Sequence, residues 1–256
     1  LGNGSENGLN GPVLAMATSG DTLILGGIFS KAGGLEANKL AHWDGHGWGA
    51  IGTGEENGVS GALGTSSAVY AIATDGDQVY VGGTFLHAGS LTDVNGIARW
   101  DGQTWHSLSS GLHGDFAGSP GWAFAIAIDG SDVFVGGDFR SAGGPDELTG
   151  GSIARWDGNR WNNVNWGANN SAPSAVYSMI FADGSLYVGG WQGPNAVARW
   201  DGSGWHSLGE GIDNIGGFVA VRALTSAPDG IYIGGEFNNV DGKYAGSTAR
   251  WDGSRW

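Results

Sequence analysis

Short apolar runs, each closed by a polar, glycine-containing turn, recur along the whole chain, and the clearest copy lies between Val69 and Gly111. Val69-Tyr70-Ala71-Ile72-Ala73 is followed by Asp75-Gly76-Asp77, and Val79-Tyr80-Val81 then runs into the double glycine Gly82-Gly83. After a longer polar stretch come Ile97-Ala98-Arg99-Trp100, the turn Asp101-Gly102, and Trp105-His106-Ser107-Leu108. Apolar residues at period two predict strands rather than helices. Asp-Gly between such runs predicts tight hairpins, because the turn requires positive φ and glycine supplies it without steric cost. One copy therefore predicts four antiparallel strands.

The same pattern occurs five times. Double glycines stand at Gly26-Gly27, Gly82-Gly83, Gly136-Gly137, Gly189-Gly190 and Gly234-Gly235, and each is followed by W-D-G-x-x-W beginning at Trp43, Trp100, Trp156, Trp200 and Trp251. A four-stranded sheet cannot bury both faces alone, so successive copies must stack face to face about an axis. The expected fold is all-β: a five-bladed β-propeller with four antiparallel strands per blade, one domain over 1–256, with repeats at about 12–67, 68–121, 122–174, 175–218, and 219–256 joined by 1–11. Leu1-Gly2-Asn3-Gly4 matches the run that follows the second motif tryptophan, and the chain stops at that tryptophan, Trp256. The N-terminal segment is therefore expected to close the fifth blade. Two alternatives stay open: excision from a longer array, or pairing of Trp256 with Leu1 of another chain.

Composition narrows the class. The 256 residues include 52 glycines without a Gly-X-Y period, 40% apolar residues and only three lysines, which fits a globular chain poor in helix. A net charge of −14 makes nucleic acid a poor partner. No cysteine is present, so neither a disulfide framework nor thiolate chemistry is expected. No apolar run approaches a membrane span, and no membrane insertion is expected. The start at Leu1 instead of a methionine is expected of a processed or excised piece.

The repeat V-x-A-x-A…G-D-x-x-Y-V-G-G-x-F…A-G-G…I-A-R-W-D-G-x-x-W-x-x-L-G-x-G resembles the kelch-like tandem repeats of bacterial extracellular proteins. It is also similar to the propeller of fungal cortical polarity markers. The resemblance covers the whole chain and implies propeller blades and an extracellular or cell-surface location. It implies no single activity: kelch-like propellers include protein-interaction modules and a copper oxidase, and five-bladed rings of other sequence include lectins and glycosidases.

Candidate chemistry gathers where the repeats depart from one another. The turns between strands one and two and between three and four are short, so the longer loops all fall on the opposite face, where a ligand is expected. Between double glycine and motif tryptophan lie 15, 16, 18, 9 and 15 residues, so the fourth copy should leave a notch there. Three tryptophans outside the motif, Trp122, Trp166 and Trp191, cluster in this part of the sequence. They are either platforms for the apolar face of a sugar ring or fillers of the gap. The residue after the double glycine is Ile28, Thr84, Asp138, Trp191 and Glu236 in turn, which sets two carboxylates about Trp191. Paired carboxylates are what glycoside hydrolysis requires, although polar strand ends are also ordinary. Arg222 replaces the position held by Leu14, Tyr70, Phe124 and Tyr177, and is expected to pair with Glu236 or Asp138 or to hold an anionic ligand. The motif tryptophans read as structural cross-strand pairs. Arg99, Arg155, Arg199 and Arg250 read as bridges to a neighbouring blade or as stacking partners of an indole. The six histidines show no ligand spacing, and neither a metal nor another cofactor is expected.

These observations point to a non-catalytic recognition or adhesion module, with a carbohydrate as the leading ligand. A protein ligand on the long-loop face, a structural propeller that self-associates through its termini or blade edge, and a glycosidase or lyase using the channel carboxylates are the alternatives.

Overall fold

The computed structural model describes residues 7–61, 67–115, 119–144, 151–164, 173–191, 196–214 and 217–256. Four antiparallel four-stranded meanders follow one another in the chain. The first is built from Val13–Ser19, Thr22–Gly27, Leu40–Trp43 and Trp48–Ala50. The second takes Val69–Asp75, Gln78–Gly83, Ile97–Trp100 and Trp105–Ser107. The third takes Trp122–Asp129, Asp132–Asp138, Ile153–Trp156 and Trp161–Asn163, and the fourth Ala175–Ala182, Ser185–Trp191, Val197–Trp200 and Trp205–Ser207. A fifth unit contributes Ala220–Ala227, Gly230–Glu236 and Thr248–Trp251. Its backbone joins the fourth through a bridge from Trp191 to Ala220. The expectation that residues 1–6 supply its outer strand lies outside the described residues.

The first strands of successive units pack on one another from the first unit to the fifth, which makes them the inner strands of the stack. Four apolar cores fill the four spaces between the five units. Ile24 and Leu40 meet Val69 and Phe85; Ile97 meets Val133 and Val135; Ile153 meets Val176 and Val188; Val197 meets Val221 and Ile233. A fifth, smaller cluster, of Phe29, Ala32, Ala37 and Ala41, draws on the first unit alone, with Leu9 beside it. The expected closure into a five-membered ring is thus not found among the described residues. Val13, Leu14 and Met16 on the first unit are exposed, and so is Tyr232 on the fifth.

The double glycines have two separate structural causes. A Cβ on the first glycine would enter the next unit: at Gly26 it would lie 2.4 Å from Val69 Cγ1, and at Gly136 2.5 Å from Val176 Cγ1. A Cβ on the second would strike the opposing inner strand within the same unit, 2.0 Å from the Ala68 carbonyl at Gly83 and 1.8 Å from the Trp122 carbonyl at Gly137. One glycine sets the spacing between sheets, and the other admits an irregularity in the inner strand.

The W-D-G-x-x-W hairpins form as expected. Trp100 pairs with Trp105 and Trp156 with Trp161 across the strands, at ring separations of 5.3 and 5.4 Å, a contact worth about 0.5–1.5 kcal/mol beyond burial. The second tryptophan also ties its unit to the preceding one. Nε1 of Trp105, Trp161, Trp205 and Trp256 donates to the carbonyls of Glu56, Leu108, Val164 and Leu208 at 2.8–2.9 Å. Among the described residues Trp48 Nε1 is buried without a partner; the repeat position of Leu108 and Leu208 corresponds there to Leu1, outside the described residues. Three of the arginines before the motif bind within their own unit, where a bridge to a neighbouring unit was one of the two expected roles. Arg155 binds Asp132 at 3.1 Å and Arg250 binds Asp229, while Arg99 donates to Gln78, in each case within one unit. The arginine stands opposite the entry of its own second strand, so that partner is the nearer one.

The motif aspartates hold the turns. Asp101 Oδ1 accepts from the amides of Gln103 and Thr104 at 2.8 Å, and Oδ2 lies 2.6 Å from His106 Nε2. The Thr104 amide first, then His106 and the Gln103 amide, hold this carboxyl well below the ordinary value of 3.8. Asp44, Asp157, Asp201 and Asp252 are lowered by the same kind of bonds. A carboxyl with depressed folded pKa contributes stability above its unfolded value, and that stability is lost as pH falls through the folded value. The thermal midpoint is therefore expected to hold between about pH 5 and 7 and to drop as acid is added below about pH 4. Asp101→Asn should shrink the drop in a calorimetric pH series; an unchanged drop would remove this carboxylate from the cause.

Candidate functional site

Each inner strand carries a register shift one or two residues after its start. The shifts fall between Val13 and Ala15, Val69 and Ala71, Ala123 and Ala125, Val176 and Ser178, and Val221 and Ala223. The residue passed over is Leu14, Tyr70, Phe124, Tyr177 and Arg222 in turn. A bulge bends its strand and re-aims the side chain that it leaves unpaired, and here the re-aimed side chains line up from unit to unit. Tyr70 meets Phe124 edge-on at 5.4 Å, and Phe124 meets Tyr177 at 5.6 Å. The Arg222 guanidinium lies 4.4 Å from the Tyr177 ring centroid, within cation–π range. Arg222 then binds Glu236 Oε1 through Nε at 3.1 Å and Nη2 at 2.9 Å. The result is a row of three rings ending in an ion pair, at the end of the inner strands where the longer loops also emerge.

Two tryptophans flank the row. Trp122, 40% exposed, lies opposite Asp138 and packs 6.1 Å from Phe124. Trp191, at the end of the fourth unit, stands on the same rung as Ala220 and Glu236 and packs 6.3 Å from Phe218. Phe218 is 72% exposed and borders a groove of about 570 Å³, lined also by Glu210, Asp213, Asn239 and Asp241. Burial, with Asp115 second, pushes the Asp138 carboxyl above the ordinary range. A second space of about 410 Å³ is lined by the other ends of the inner strands of units two to five, including Ile128, Phe181 and Thr225.

The residues expected from sequence therefore fall into two groups joined by the ring row. Trp122 and Asp138 form one, and Trp191, Glu236 and Arg222 the other. Arg222 pairs with Glu236, one of its two expected partners, and does so at the surface. Trp166 lies outside the described residues, as do residues 192–195 at the expected notch. The aromatic row itself was missed as a site. Its signal was present, since three consecutive copies place an aromatic residue at one repeat position, but the bulge that exposes the position has no local marker beyond the second glycine. Phe218 carried no repeat signal at all.

No family model matches the chain, and no curated protein matches it. Among solved structures the chain is similar to the extracellular domain of a proposed one-component system of B. thetaiotaomicron, with 16% identity, a TM-score of 0.53, and coverage of 91% of this chain and 26% of that one. It is also similar to the computationally designed protein Ika8, with 18% identity, a TM-score of 0.46, and coverage of 87% of this chain and 55% of that one. The chain thus spans about half the length of the designed protein and about a quarter of the bacterial one. At 16% identity, the likeness to the bacterial extracellular domain is one of fold alone.

Proposed function

We propose that the five units are blades of a β-propeller that acts outside the cell or at its surface as a non-catalytic recognition module, and that its ligand is a carbohydrate bound along the long-loop mouth. The observation that carries this reading is the row Tyr70, Phe124 and Tyr177, flanked by Trp122 and Trp191 and closed by Arg222 and Glu236. Flat rings offer large contact area to the apolar face of a sugar with little loss of side-chain freedom. The guanidinium and carboxylate at the end of the row suit sugar hydroxyls, since hydrogen bonds to charged groups are the stronger ones. The extracellular location rests on the kelch-like motifs and agrees with the extracellular origin of the B. thetaiotaomicron domain. Among the described residues, no helix is long and apolar enough to cross a membrane.

A glycan array probed with the chain, Trp191→Ala and Trp122→Ala at equal loading tests the proposal. Wild-type binding to a defined sugar, weakened about tenfold or more by either substitution, is the expected result; tenfold corresponds to about 1.4 kcal/mol. Silence of all three proteins would sink the carbohydrate reading for the sugars sampled and turn attention to a protein ligand, for which exposed Phe218 is the apolar anchor. The raised Asp138 carboxyl is the one feature that favours hydrolysis, as a candidate general acid. In that case Asp138→Asn would abolish turnover of the bound sugar and spare its binding.

A further inference from the structure

We infer that the chain self-associates head to tail, the exposed face of the first unit in one copy packing on the exposed face of the fifth unit in the next. The chain itself shows four times how such faces meet. At the inner-strand position of Val13, the residues Val69, Ala123, Val176 and Val221 are each fully buried at 0% exposure, because each fills the space above a glycine of the preceding unit. Val13 is 38% exposed, and among the described residues nothing from a preceding unit covers it. The matching glycines Gly26, Gly82, Gly136 and Gly189 would bring a Cβ to within 2.4–2.8 Å of that side chain, whereas a Cβ on Gly234 would find only the Ser247 carbonyl at 4.0 Å. Val13 lacks its glycine, and Gly234 lacks its valine.

The surrounding positions tell the same story. Met16 is 65% exposed, while Met179 and Leu224, its counterparts in units four and five, are buried at 7% and 8%. On the other side Tyr232 is exposed where Phe134 and Tyr187 are buried at the same repeat position. Each open face is one half of an interface whose other half the same molecule also exposes and does not reach. A second copy supplies both halves with matching residues. Such a contact is heterologous, so it builds a ring if the rotation closes and a filament if it does not. The fifth-unit face also carries Arg250 beside Tyr232, and its charge is met there by Asp229, which accepts from both side chains.

The test is the mass of the full chain in solution, by light scattering and sedimentation over a concentration series. The expected result is assembly beyond 26.1 kDa that grows with concentration. Gly234→Val occupies the place of the partner's valine yet has open space within its own chain, and Met16→Glu puts a charge on the opposite face. Each variant alone is expected to remain at 26.1 kDa with an unshifted monomer melting temperature. Mixed in equal amounts they are expected to form a dimer and stop there, because each has kept one intact face. A wild-type chain that stays monomeric at all concentrations, variants that assemble as the wild type does, or a mixture that fails to pair would overturn the inference. Glycan binding does not enter any of these outcomes, so the inference stands or falls apart from the proposed ligand.

Discussion

Replacing Gly137 by alanine is expected to cost on the order of 3 kcal/mol or more, at the severe end of single substitutions. The added Cβ would stand 1.8 Å from the Trp122 carbonyl oxygen and 2.9 Å from its carbon. Backbone atoms cannot swing aside as a side-chain tip can, so the bulge between Ala123 and Ala125 would have to come undone. The loss should therefore appear twice, as a lower urea midpoint and as a displaced Phe124 ring, which the bulge aims at Tyr177. Gly234→Ala provides the internal control. Among the described residues no atom of a neighbouring unit lies near its Cβ, so at concentrations where the chain is monomeric it is expected to fall within about 0.5 kcal/mol of the wild type. Equal effects at Gly137 and Gly234 would show that glycine serves general chain flexibility here, and the steric account of the repeat would be wrong.

Trp161→Ala is the second large effect, expected at about 3–5 kcal/mol from loss of a buried aromatic side chain. Trp161 is buried in the core between units two and three, faces Trp156 at 5.4 Å, and donates from Nε1 to the Leu108 carbonyl at 2.9 Å. Trp161→Phe separates the contributions. It keeps most of the apolar area and removes the donor, leaving the Leu108 carbonyl with the Gly111 amide as its partner, so the lost bond is expected to cost about 0.5–1.5 kcal/mol. Equilibrium unfolding in urea should place the phenylalanine variant between wild type and alanine. If it matched the wild type, the indole N–H would hold no share in tying unit three to unit two, and the four repeated bonds of this kind would be incidental to the stacking.

Much of this was legible along the chain. Asp-Gly turns, the paired tryptophans and the double glycines marked strand ends because they answer local demands: positive φ at Gly102, a carboxylate at Asp101 accepting from the amides two and three residues on, indoles facing each other across a two-strand ribbon. The long-loop end was legible as the variable one from loop length alone. Site residues were partly legible. Trp122, Trp191, Asp138, Glu236 and Arg222 all sit at that end of the structure, but the rings of Tyr70, Phe124 and Tyr177 were not among the expected site residues. Their exposure depends on a bulge, and a bulge is a property of two strands in register, which the inner strand by itself does not declare. The arginine partners were assigned to the wrong side for a similar reason. A strand position says which face a side chain leaves from, and the long guanidinium arm then takes the nearest acceptor in space, as with Arg155 and Asp132.

From the sequence alone follow the five units, their four-strand pattern and the hairpins that end them, since each rests on neighbours within a few residues or one turn away. Whether five units close on themselves is decided elsewhere. The rotation from one sheet to the next comes from the side chains packed between them, small against large, such as Gly26 under Val69 and Gly189 under Val221. Four such rotations accumulate between the first unit and the fifth, so a small angle repeated at each step separates a sealed ring from an arc with two open faces. Only the assembled tertiary structure performs that sum, and in this protein it leaves Val13 and Gly234 apart.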